Sequence, residues 1–122
     1  MEIEQLLRYL LPQEIFEYFD LVGIKEEDKQ LELCLDEKPI KPFAHSEKEL
    51  VLYGFDEPVR IQDFPLRDRS VYFIVRRRKW RDKGTGKIYS TRWDLTANGT
   101  SYTKEFADFL KGLFGQLPHQ QQ

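Results

Sequence analysis

Hydrophobic residues open the chain at helical spacing. In residues 2–11, Ile3, Leu6, Leu7 and Leu10 recur at i, i+3, i+4 and i+7, which predicts an amphipathic helix with those four side chains inward. Glu2 and Glu4 suit its N-terminus, where backbone N–H groups favour negative charge. Pro12 ends this helix or starts the next, because proline fits only the first helical turn. Residues 12–20 then predict a second short helix with Ile15, Phe16 and Phe19 inward and Gly23 as its stop. Residues 24–28 read as a charged turn.

Beyond residue 28 the period changes to two. Leu31, Leu33 and Leu35 alternate with Gln30, Glu32 and Cys34, the pattern of a half-buried strand over residues 29–36. Residues 37–48, with Pro39, Pro42 and Ser46, read as a loop. Short strands follow at 49–54 and 58–63, the latter alternating Val59 and Ile61 with Arg60 and Gln62 until Phe64-Pro65 breaks it; residues 66–69 are a turn. The strongest strand is 70–81. One of its faces carries Val71, Phe73, Val75, Arg77 and Lys79, and the other Tyr72, Ile74, Arg76, Arg78 and Trp80. Its first half is apolar and its second half cationic, so a strand anchored in a core projects arginines beyond it. A glycine-bearing loop at 82–86 and a return strand at 87–95 complete a hairpin, and Asn98-Gly99 marks a further turn. A last helix runs from about Thr103 to Phe114, with Phe106, Phe109, Leu110 and Leu113 as its stripe, a cap from Ser101 or Tyr102-Thr103, and Gly115 as its stop.

The expected architecture is α+β: an antiparallel sheet of three to five strands, two short N-terminal helices and a C-terminal helix. With 122 residues, one domain is expected over residues 1–117. It divides into a helical segment at 1–23, a β-rich core with a basic hairpin at 29–95 and the helix at 102–114, followed by a disordered tail at 118–122. An aromatic share of 14% is too rich for a disordered chain. No apolar run approaches the ~20 residues of a membrane helix, and the acidic start is unlike a signal peptide. Cys34 is the only cysteine, which leaves no internal disulfide and suits a small apolar strand residue in a reducing cytoplasm. His45 and His119 are the only histidines, too few partners for a metal site, and no cofactor is expected.

Charge changes the picture most. Residues 1–59 hold 6 Lys and Arg against 15 Asp and Glu, whereas residues 60–93 hold 11 against 3. The basic segment is a candidate anion-binding surface; the competing reading is that acidic and basic parts neutralise each other in the fold. The cations are Arg60, Arg67, Arg69, Arg76, Arg77, Arg78, Lys79, Arg81, Lys83, Lys87 and Arg92, with Trp80 among them as a stacking residue or hairpin anchor. Guanidinium groups bind phosphates bidentately and stack on bases, and a two-stranded ribbon can enter a major groove. Arg76 with Arg78, or Arg77 with Lys79, are the candidates for base-edge contact. Trp93 reads as a packing residue. Walker, dinucleotide, nucleophile-elbow and zincin motifs are lacking, and Lys83-Gly84-Thr85-Gly86-Lys87 precedes a strand rather than a helix. No catalytic residues are assigned, and the chain is not expected to be an enzyme.

Three stretches carry a resemblance: Arg60-Ile61-Gln62-Asp63-Phe64-Pro65-Leu66, Val71-Tyr72-Phe73-Ile74-Val75-Arg76-Arg77-Arg78-Lys79-Trp80, and Tyr102-Thr103-Lys104-Glu105-Phe106-Ala107. Together with the LLRYLLP opening, they resemble the N-terminal region of ISAon-type bacterial insertion-sequence transposases, over nearly the whole chain. In related transposases the same frame belongs to a zinc-binding module ahead of a helix-turn-helix segment and a DDE nuclease domain. The cysteine pairs of that module would fall near Pro42 to Ser46 and near Trp80 and Gly84 to Gly86, where this chain has none, so the metal role is not carried over. The resemblance implies a non-catalytic part of a transposase that binds double-stranded DNA at terminal inverted repeats. Its implied partner is a separately encoded DDE transposase subunit, with a homodimer also possible and no membrane association. The alternative is a protein-interaction module that docks that subunit or another acidic partner.

Overall fold

The computed structural model describes residues 3–40, 49–63, 65–90 and 102–115. In chain order these form α1 (Ile3–Leu10), α2 (Gln13–Tyr18), β1 (Phe19–Glu27), β2 (Gln30–Glu37), β3 (Leu50–Phe55), β4 (Val59–Gln62), β5 (Ser70–Arg76), β6 (Arg78–Asp82), β7 (Ile88–Ser90) and α3 (Lys104–Gly115). The α+β class and the two short N-terminal helices and C-terminal helix are as the pattern implies. The strands divide between two sheets, a four-stranded one in the order β1-β2-β5-β4 and a three-stranded one in the order β3-β6-β7. All pairings are antiparallel except β2 with β5, which is parallel.

Three local differences from the sequence pattern have clear causes. The helical periodicity through Phe19 gives way at Tyr18, because Phe19 is extended (φ −133°, ψ 151°) and enters β1. Residues 19–27 are therefore a strand, not a helix end and charged turn, and a two-residue turn with Asp28 at φ 55° leads into β2. At α1 the buried leucines are Leu7 and, just past the helix, Leu11, while Leu6 and Leu10 face outward. The predicted strand 70–81 breaks at Arg77, which separates β5 from β6. Glu37 ends β2 and Val59 begins β4, so past Arg76 the strand has no backbone neighbour left in the larger sheet. The Arg78 N–H instead donates to Glu37 Oε1 at 2.8 Å, and the Arg77 carbonyl accepts from Asp56 N–H at 2.9 Å.

One face of the larger sheet carries Leu33, Leu35, Val59, Ile61, Val71, Phe73 and Val75, all buried beneath the helices. Phe109 of α3 meets Phe19 and Phe73 edge-on, with ring centroids 5.5 and 5.3 Å apart, and stacks on Phe106 at 5.7 Å. Gly112 lets α3 approach β4: a Cβ there would lie 3.0 Å from Ile61 Cγ2. Thr103 caps α3, its Oγ1 accepting the Phe106 N–H at 3.2 Å. Glu14 of α2 in turn accepts the Thr103 N–H at 2.8 Å and its hydroxyl at 2.9 Å, which ties the two helices together.

Candidate nucleic-acid interface

The basic residues sort into two groups by what they touch. Those nearest the larger sheet are held within the fold, three of them by acids of β1 and β2. Arg60 pairs with Glu32 at 2.9 Å and lies over the Tyr72 ring at 3.8 Å. Arg69 pairs with Glu26. Arg76 Nε and Nη2 donate to the two oxygens of Asp36 at 2.7 and 2.6 Å, and those hydrogen bonds hold its pKa above the ordinary arginine value. Arg78 Nε donates to the Glu37 carbonyl at 2.9 Å. Its guanidinium and that of Arg76 lie over the Phe55 ring at 4.3 and 4.0 Å. Arg77 is buried, 6% exposed, with its guanidinium 4.8 Å from the centre of the Phe114 ring. For Arg60, Arg69 and Arg76, neutralisation within the fold describes the charge pattern, and Arg77 and Arg78 are engaged by the Phe114 and Phe55 rings and the Glu37 carbonyl. Of the candidates for base-edge contact, Arg76, Arg77 and Arg78 are engaged inside the protein and Lys79 alone stays open.

The second group lies on the β6–β7 hairpin. Lys79, Arg81, Lys83 and Lys87 form no ion pair with any carboxylate among the described residues. Asp82 shapes their turn. Its carbonyl accepts the Gly86 N–H at 2.7 Å, its Oδ1 accepts the Gly84 N–H at 2.8 Å, and its own N–H donates to the Lys87 carbonyl at 2.9 Å. Gly86 adopts φ 77°, a conformation that glycine takes without steric cost. Arg67 is exposed on the tight Leu66–Arg69 turn, away from the hairpin sequence, and Arg92 and Trp93 lie outside the described residues.

Register sorts the hairpin's side chains by face, since directly opposed residues share one. Leu52, Trp80 and Tyr89 lie abreast, and Trp80 is buried. Trp80 therefore anchors the small sheet rather than offering a stacking surface. On the opposite face lie Val51, Arg81 and Ile88, then Lys79 and Ser90. A β-bulge between Leu52 and Phe55, with Gly54 at φ 88°, places Tyr53 against Lys79, whose Nζ is 5.6 Å from the ring centre. Tyr53 was not among the residues singled out from sequence; the small signal for it is the Tyr-Gly pair inside a short strand.

A separate groove of about 620 Å³ runs between α1, β4 and α3, floored by Ile15, Ile61, Phe73 and Phe109. Asp63, Glu105 and Asp108 line it, with Lys104 bound to Asp108 at 3.1 Å. Leu10 edges it, and Leu6 and Tyr9 extend that exposed apolar stripe along α1.

Among the described residues, no group of three or more His, Cys, Asp and Glu side chains converges as a metal site, and no helix is long and apolar enough to cross a membrane. The chain matches no family model, no characterised protein and no solved structure.

Proposed function

We propose that this protein is a non-catalytic, cytoplasmic DNA-binding component of a bacterial transposition system, either an accessory protein or the N-terminal part of a transposase. The observation that carries the reading is the division of the cations. Five arginines are committed to the fold, whereas Lys79, Arg81, Lys83 and Lys87 have no acid partner among the described residues and share the β6–β7 hairpin. Cations without acid partners contact phosphates with no ion pair to break first. The resemblance of the Arg60–Leu66, Val71–Trp80 and Tyr102–Ala107 stretches to ISAon-type transposases supplies the biological setting: double-stranded inverted-repeat ends, and a separately encoded DDE subunit as partner. The test is binding to a terminal inverted-repeat duplex against a scrambled duplex across a salt series. Tighter binding to the repeat, with a log–log salt slope of roughly −4, is the expected result for four phosphate contacts. Equal, weak binding to both duplexes would sink it.

A second reading, a protein-interaction module that docks a partner or a second copy of the chain, is favoured by the exposed Leu6–Tyr9–Leu10 stripe beside the acid-lined groove. It predicts sequence-blind DNA binding together with loss of partner or homodimer affinity in a Leu6→Ser, Leu10→Ser variant.

A further inference from the structure

We infer that the Tyr53 face of the β3-β6-β7 sheet binds unpaired DNA strands, so that the protein holds frayed or opened element ends more tightly than closed duplex. This rests on the DNA-binding reading above and names the form of DNA that the same hairpin prefers. A surface that meets only a duplex backbone needs cations and polar groups. This face carries cations interleaved with exposed apolar and aromatic side chains: Val51 is 40% exposed, Tyr53 49% and Ile88 40%. They flank Arg81 and Lys79, two residues apart on one strand face and therefore about 6.8 Å apart along it. Bases in a duplex hide their flat faces in the stack, whereas an unpaired strand presents them, and a tyrosine ring beside a cation takes a base on the ring and its phosphate on the charge. The bulge at Tyr53 and Gly54 matters here because it turns the tyrosine toward Lys79 on the open face. Trp80, the residue that composition suggests for stacking, packs on the opposite face and is closed to a ligand.

The experiment uses the full chain and fluorescence anisotropy. The probes are a labelled mixed-sequence 20-nucleotide single strand, the duplex made from it, and phosphatidylserine vesicles. Single-strand binding tighter than duplex binding is expected. Tyr53→Ser should weaken the single strand by roughly tenfold and leave the duplex within about twofold, and Tyr53→Phe should keep both. Arg81→Ala should weaken both DNA forms, since phosphates are common to them. Tyr53 is half exposed, so these variants should melt with the parent protein, which circular dichroism checks. Tighter duplex binding, or single-strand binding indifferent to Tyr53→Ser, overturns the inference while leaving the DNA-binding reading in place. Binding to neither DNA form overturns both, and so does binding to the vesicles alone.

Discussion

Arg76 grips both carboxylate oxygens of Asp36 across the parallel register of β2 and β5, joining residues 40 positions apart in sequence. Asp36 is nearly buried, so the pair's worth lies less in attraction than in sparing a carboxylate from standing alone.

Arg76 and Arg81 should consequently behave as opposites, although both belong to one cationic run. Arg76→Ala should lower unfolding free energy by about 1–2 kcal/mol and leave duplex affinity within about twofold. Arg81→Ala should leave stability unchanged and reduce the salt slope of DNA binding by about one. Urea denaturation and salt-dependent anisotropy on the two variants check this together.

Acid sensitivity should centre on the α2–α3 tie. Partial burial opposes ionisation of Glu14, but the hydrogen bonds from the Thr103 N–H and hydroxyl outweigh it and hold the carboxyl below its ordinary value of 4.5. A depressed folded-state pKa contributes stability that is present above the unfolded pKa and is lost as pH falls through the folded one. Glu14→Ala should therefore be less stable than the parent at pH 7, and the two should converge as pH drops below about 4. Urea midpoints across that range test it; a constant gap down to pH 3 would count against the tie.

Packing of α3 on β4 should be intolerant at one point. Gly112→Val puts two methyl groups where even a Cβ lies 3.0 Å from Ile61 Cγ2, and should cost about 2 kcal/mol. Ile61→Ala removes the obstructing methyl, so the double variant should be more stable than the sum of the two single changes by about 1 kcal/mol. A double-mutant cycle in urea measures this coupling.

The β6–β7 turn should govern binding through Asp82. Asp82→Ala removes the acceptor for the Gly84 N–H and should weaken DNA binding several-fold without removing any cation. Amide exchange of Gly84 and Gly86 should quicken in parallel.

Much of this architecture is written locally. The stripes Ile15-Phe16 and Phe106-Phe109-Leu110-Leu113, and the alternation of Leu33 and Leu35, point inward as their periods require. Thr103 caps α3 from one of the positions expected. The leucine pairs in and just after α1 support two overlapping stripes, and period alone cannot choose between Leu6-Leu10 and Leu7-Leu11; burial in the core does. Strand β1 was hidden because it is an edge strand with a bulge between Leu21 and Gly23, largely exposed and therefore lacking clean alternation. The break at Arg77 and the fate of the arginines were illegible for one reason. Both depend on partners such as Asp36, Glu37 and Phe114, which only the tertiary fold brings near. Sequence left both faces of the 70–81 strand open as candidates, and only the pairing register separates the exposed Lys79–Arg81 face from the buried Trp80 face.

The parallel pairing of β2 with β5 also sets an order of assembly. The β1–β2 hairpin closes over two residues, whereas β2 must wait for a strand that begins at Ser70. Until then Leu33 and Leu35 have only one flank of their sheet, and α3, which completes the core they belong to, comes later still. A chain emerging from the ribosome therefore spends the synthesis of dozens of residues with a leucine ladder only partly enclosed. Early folding intermediates of this protein should be the species that chaperones capture, and a slow refolding phase should track the docking of β5.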